Sequence, residues 1–272
     1  MKKLIFTGCS YTYGSGIERE YPSKIKNEFI PHHYNIKNCT YEQLEFIHQN
    51  RFSKLVADMF ETTDLNNGRS GGDIDYALNE IQKHFDNGES SESIAAIIFQ
   101  IPALERGASK IYSKKRQKWI ELYFQDVELN KNSEIIKMME LIQEYDIELE
   151  DLIKMGYIEK LERLQHSLKK YEEMGIPVFI INWRNGHPQR INDYLFDKYG
   201  YLVSNIDWLM EKRIPFNYKD TNSFIFSDLY LKYPELIVYG NMGPRFDDHA
   251  TILGHKIIAE SIYNYIKNKI SL

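Results

Sequence analysis

The chain has only two cysteines, Cys9 and Cys39, in 272 residues. That is too few for the disulfide framework of a small secreted scaffold. Cys9, at the end of an apolar run, reads as a buried, reduced thiol of the cytosolic type. Long hydrophobic runs are missing as well. No segment approaches the ~18 apolar residues of a membrane span. Met1-Lys2-Lys3 imitates the basic start of an export signal, but Leu4-Ile5-Phe6 stops at Thr7-Gly8. An export signal needs an apolar core of ~7–15 residues. No signal peptide and no membrane partner are therefore expected, and the expected location is the cytoplasm. Basic excess is lacking too: net charge is −5, which argues against nucleic acid or an anionic membrane as partner. The short run Lys114-Lys115-Arg116 reads as a solvated helix face. Neither a phosphate-cradling loop nor a Gly-x-Gly-x-x-Gly fingerprint occurs, and no His/Cys/carboxylate spacing resembles a metal site. No cofactor and no metal are expected.

What is present has the balance of an ordinary globular protein. Hydrophobic residues make up 43% and charged residues 27%, enough to bury a sizeable core at this length. The 20 Tyr and 14 Phe suit both a core and a sugar-binding surface. Three short apolar runs mark buried strands: residues 3–7, Ile94–Ile101 and Val178–Asn182. Parallel strands covered on both faces read as continuous apolar runs of this kind. Helical spacing recurs from Arg51 to Phe60, after Gly72, and from Thr251 to Ile266. The alternation of strand, loop and helix predicts an α/β fold, a flavodoxin-like three-layer sandwich around a parallel sheet. A charged stretch at about 107–173 reads as a helical insertion or lid within one domain covering 1–272, with Met138-Met139 as helix packing.

In open parallel sheets, ligands bind where the strands' C-terminal ends meet their loops. That rule points to residues 8–16, 67–72, 102–106 and 183–190. Gly8-Cys9-Ser10-Tyr11-Thr12-Tyr13-Gly14 closes the first strand, with glycines that permit a tight turn. Alone, Ser10 could be a turn serine. Far along the chain, Asp247-Asp248-His249 precedes the last helix, with Gly254-His255 inside its first turns. A serine hydroxyl becomes a nucleophile when a histidine takes its proton and a carboxylate orients that histidine. Asp247 and His249 share one short segment, so one loop could deliver both. Asp248 is well placed to cap the helix.

With these blocks in their order, the chain resembles the SGNH (GDSL-type) hydrolase superfamily. Residues 8–14 match its first Gly-x-Ser-x-Thr-x-Gly-like turn, with Cys9 where many members carry Asp. Residues 67–72 resemble its second, glycine-bearing loop, and Asp247–His249 its final block. The wording of residues 8–14 is also like uncharacterised members found in tailed phages, which would place the protein in a virion. The resemblance implies the SGNH fold, an esterase of Ser-His-Asp type and no cofactor. Ser10 would be the nucleophile, His249 the base and Asp247 its partner, with the N–H groups of Ser10 and Gly71 facing the oxyanion. Two departures stand out. The position three before His249 holds Phe246, so Asp247 is one residue displaced. The third block's Asn is missing from Phe99-Gln100-Ile101-Pro102-Ala103-Leu104-Glu105-Arg106, where Arg106 either substitutes as a cation or pairs with Glu105.

The expected substrate is a small-molecule or carbohydrate ester, with an O-acyl group on a sugar favoured by the aromatic load. Asn182-Trp183-Arg184-Asn185-Gly186-His187 could stack and donate to such a sugar, or could be a loop anchored by one Trp. His32-His33, Tyr11 and Tyr13 could line the cleft. The alternative reading is a catalytically inactive SGNH-fold protein that binds glycans or builds a virion. A flavodoxin-like nucleotide binder lacks a phosphate cradle. Oligomeric state is not encoded in any pattern seen here.

Overall fold

The computed structural model describes residues 2–21, 40–124, 132–183, 188–199, 205–238 and 249–272. In chain order the main elements are β1 (Lys3–Thr7), α1 (Ser10–Tyr13), α2 (Tyr41–Asn50), α3 (Phe52–Met59), β2 (Thr63–Asn66) and α4 (Ile74–Asp86). Next come β3 (Ile94–Ile101), β4 (Ser109–Ser113), β5 (Lys118–Leu122), α5 (Asn132–Tyr145), α6 (Leu149–Glu173) and β6 (Val178–Asn182). The remainder is α7 (Pro188–Tyr199), α8 (Asp207–Glu211), β7 (Phe216–Tyr218), β8 (Thr221–Ser223), α9 (Phe226–Lys232) and α10 (Ile252–Ile266).

Four strands form a parallel sheet in the order β2-β1-β3-β6. The three apolar runs become its three inner-reading strands, and every residue of β3 and β6 is buried. Successive side chains point to opposite faces of a strand, and the two cores follow that rule. Leu4, Phe6, Ile98, Phe179 and Ile181 pack one way, against Phe52 and Val56 of α3 and Ile258 and Ile262 of α10. Ile5, Ile97, Phe99, Val178 and Ile180 pack the other way, against Ile74 and Ile81 of α4 and Leu161, Leu164 and Leu168 of α6. This is the expected α/β sandwich: helices, parallel sheet, helices.

Two elements differ from expectation. The stretch 107–173 is not helical throughout, because β4 and β5 form an antiparallel hairpin with Ile111 facing Ile120. Its residues alternate buried and exposed, and its inner face covers Met138 of α5 and Leu152 of α6. The 25-residue α6 packs on the sheet beside α4 as part of one layer of the sandwich. Strand β2 is the other surprise. It is a four-residue edge strand, Thr63-Asp64-Leu65-Asn66, with no buried position.

Because β1 sits between β2 and β3, the chain leaves β1 towards one side and β3 returns on the other. Such a switch point opens a crevice at the strands' C-terminal ends. The loop that begins with Gly8 lies there.

Candidate active site

The site is built on the loop after β1. A β-carbon on Gly8 would lie 2.5 Å from both Gln100 Oε1 and Thr12 Oγ1, so only glycine lets the chain turn this closely against β3. Gln100, on the penultimate position of β3, is buried. Its Oε1 accepts from Cys9 N at 3.0 Å, from Cys9 Sγ at 3.2 Å and from Thr12 Oγ1 at 3.1 Å. Burial pushes the Cys9 thiol up, keeping it protonated. The turn α1 then closes on Gly14, in the left-handed region, whose N–H donates to Ser10 O at 3.1 Å.

The loop after β2 is fastened to this turn. Asn66 Nδ2 donates to Thr12 O and to Ser53 Oγ, each at 2.7 Å, while its Oδ1 accepts from Gly68 N at 2.9 Å. A β-carbon on Gly68 would fall 2.4 Å from Tyr13 N, so the approach requires glycine. Gly71 is exposed, in the left-handed region, and a β-carbon there would meet nothing within 4 Å.

Ser10 is 5% exposed, and its Oγ lies 2.8 Å from His249 Nε2. The two residues are 239 positions apart in the chain. His249 is held by backbone: its carbonyl accepts from Val238 N at 2.8 Å, and Ala250 bridges Ile237. The N-cap of α10 is Thr251 rather than Asp248, its side chain accepting from Gly254 N at 3.1 Å. On one side of the imidazole stands the Tyr11 ring, centroids 4.8 Å apart. Tyr11 in turn stacks on Trp183 at 4.0 Å, and Trp183 leans on Phe226 at 4.5 Å.

The structure thus brings Ser10 and His249 together. Asp247 lies outside the described residues, as do His32-His33 and residues 184–187. Trp183 is 1% exposed, so it anchors the crevice wall and offers no face to a sugar. Glu105 is exposed, and no ion pair joins it to Arg106 among the described residues. Among those residues no His/Cys/Asp/Glu group could hold a metal ion, and no helix is long and apolar enough to cross a membrane.

Three polar groups near the site sit in surroundings that the sequence did not foretell. Gln100 is one, and its signal was a single amide inside Ile-Ile-Phe-Gln-Ile. Asn182 is another: it ends β6 with 0% exposure, and neither amide atom has a partner among the described residues. His255, on α10, is the third. It is fully buried, its Nδ1 accepts from Phe52 N at 3.3 Å, and its Nε2 has no partner among the described residues. Burial, with the His249 imidazole and the Arg51 guanidinium nearby, pushes its imidazole down to about 3 from 6.5.

His255 makes the fold acid-sensitive. A base whose folded pKa is lowered stays neutral in the fold while the unfolded chain takes up a proton. Its contribution is complete above 6.5 and is lost as pH falls towards 3. Thermal unfolding followed from pH 7.5 to 5 should show stability dropping by up to about 1.4 kcal/mol per pH unit below that point. His255→Leu should flatten this slope; an unaltered slope in that variant would count against the assignment.

No family profile matches the chain, and no curated protein sequence matches it either. Similarity does appear among solved structures. One is a carbohydrate esterase: 12% identity over 98% of this chain and 69% of the other, TM-score 0.45. Another is an acetyl-xylooligosaccharide esterase from Geobacillus: 14% identity over 97% and 94%, TM-score 0.41. A third is a lipolytic protein of the G-D-S-L family from Desulfitobacterium hafniense: 12% identity over 97% and 99%, TM-score 0.38.

Proposed function

We propose that the chain is a cofactor-independent serine esterase, with Ser10 as nucleophile, His249 as base and Asp247 as the carboxylate that orients it. One observation carries this reading: Ser10 Oγ and His249 Nε2 stand at hydrogen-bond distance in the crevice at the sheet's switch point. Serine becomes nucleophilic only when such a base takes its proton.

In the proposed reaction, Ser10 Oγ attacks the acyl carbon and its proton passes to His249 Nε2. The carbonyl electron pair moves onto oxygen, facing the N–H groups of Ser10 and Gly71. Collapse of this intermediate expels the alcohol, which takes the proton from His249 and leaves the acyl group on Ser10. Water then repeats the sequence, releasing the acid and restoring the hydroxyl. Asp247 favours the tautomer that leaves Nε2 free to accept and stabilises the imidazolium that forms.

The substrate class we assign is an O-acyl group on a carbohydrate. In support, the β4–β5 hairpin holds Trp119 63% exposed beside Tyr112, with ring centroids 5.6 Å apart. Flat aromatic faces of this kind suit the C–H face of a sugar. Acetylated sugars should be turned over in preference to long-chain acyl esters; the reverse preference would overturn this part of the assignment.

The mechanism itself is tested by covalent capture. A fluorophosphonate should label the folded protein once per chain, at Ser10 by peptide mapping, and Ser10→Ala should take up none. Folded wild-type protein that stays unlabelled would sink the esterase reading.

A further inference from the structure

The loop that follows β3 carries a half-buried arginine whose side chain pairs with none of the described residues. Strand β3 lies directly beside β1 and parallel to it, so residues 102–108 emerge at the same edge as Ser10. The loops interlock there. A β-carbon built on Gly107 would fall 2.6 Å from Asp73 Oδ2, and one on Gly72 would fall 3.2 Å from Gly8 O. Arg106 sits on this edge next to Gly107. One guanidinium nitrogen, Nη1, is buried with no hydrogen-bond partner. No ion pair or side-chain hydrogen bond holds Arg106 among the described residues. Its positive charge reaches the thiol of Cys9, the residue before Ser10.

A buried, unpaired guanidinium nitrogen is costly, and arginine cannot relieve the cost by losing its proton. The fold nevertheless goes to some length to fix this residue. The ammonium of Lys160, itself 1% exposed, donates to Leu104 O at 2.7 Å, Arg106 O at 2.8 Å and Gly107 O at 3.0 Å. The backbone is clamped while the side chain is left unsatisfied, as suits a donor whose acceptor arrives with the substrate. Asn182 is also buried and unpartnered, but β6 is one strand further from β1.

We propose that Arg106 is a catalytic residue that donates an N–H to the oxyanion, in place of the asparagine this chain lacks after β3. The proposal rests on the serine-esterase reading above. When Ser10 Oγ bonds to the acyl carbon, the carbonyl oxygen gains the electron pair and becomes the acceptor for the guanidinium. Arg106 keeps its proton throughout, and the bond is released when the carbonyl re-forms.

The test is a paired measurement on Arg106→Met and Arg106→Lys, with p-nitrophenyl acetate as the probe. Loss of one preorganised oxyanion donor lowers kcat by roughly 10²–10³-fold. The expected result for Arg106→Met is a fall of that size with KM within about threefold of wild type. Its melting temperature should be unchanged or higher, since a buried, unpartnered N–H of a half-buried side chain has been removed. Arg106→Lys should recover part of kcat, and methylguanidinium should restore activity to Arg106→Ala. A rise in KM with kcat intact would overturn the proposal, as would unchanged kinetics or a large loss of melting temperature. All three results leave the esterase reading standing. A wild-type protein with neither turnover nor phosphonate capture would instead remove both.

Discussion

Replacing His249 with alanine should lower kcat/KM for an activated ester by about 10⁴-fold or more and abolish phosphonate capture at Ser10. The size follows from chemistry: a serine hydroxyl is a poor nucleophile at neutral pH unless a base accepts its proton as the new bond forms. Nε2 lies 2.8 Å from Oγ, so no rearrangement is needed before that transfer. The imidazole is also confined. Tyr11 packs on one side, and a β-carbon on Gly16 would lie only 2.8 Å from His249 Cβ. The fold should tolerate the truncation, because backbone hydrogen bonds, rather than the ring, tie this segment to residues 236–238. Circular dichroism melting of the variant separates lost chemistry from lost structure. A variant within tenfold of wild type would remove His249 from the mechanism.

A second substitution should strike stability. Lys160→Met is expected to cost about 3 kcal/mol or more, since it strands one buried and two partly buried carbonyls that the ammonium now satisfies. Burial, with the Arg163 charge adding to it, pushes this ammonium down to about 8. Its environment is therefore expensive for a charge, and the three carbonyl dipoles are what hold it there. In a chain of this length such a loss corresponds to a melting temperature lower by roughly 6–12 °C. Urea unfolding gives the same quantity through the midpoint at constant slope. An unchanged midpoint would mean that water replaces the ammonium without penalty.

The parts of this molecule that sequence reading reached are those where burial writes a pattern. Strands β1, β3 and β6 announce themselves because both their faces are covered, leaving no position for a charge after Lys3. Strand β2 has no buried residue and offers no such pattern; its place is set by pairing with β1 and by hydrogen bonds of Asp64 and Asn66 with Ser53. The β4–β5 hairpin is hidden for another reason. Lys114, Lys115 and Arg116 fill its turn, and Lys110, Lys118 and Glu121 sit on its strands, so charge masks the alternation of Ile111, Ile120 and Leu122. At the site, the Ser10–His249 juxtaposition was legible because catalytic chemistry demands a base for a serine, whatever the distance along the chain. Trp183 shows the opposite limit. Its residue type fits a sugar platform or a wall equally well, and only its stacking against Tyr11 decides for the wall. Gln100 and Lys160 were out of reach because each acts on backbone atoms of a distant loop, which no spacing rule records.

The 239-residue interval between Ser10 and His249 also orders events during synthesis. A nascent chain shorter than 249 residues carries the serine without its base. The serine's turn can assemble early against β3, since Gln100, Asn66 and Thr12 have by then left the ribosome. Helix α10 must still dock on α3, where Ile258 and Ile262 meet Phe52 and Val56, before the imidazole reaches the hydroxyl. On the proposed mechanism, reactivity waits for that docking, and products lacking the helix are expected to be chemically silent.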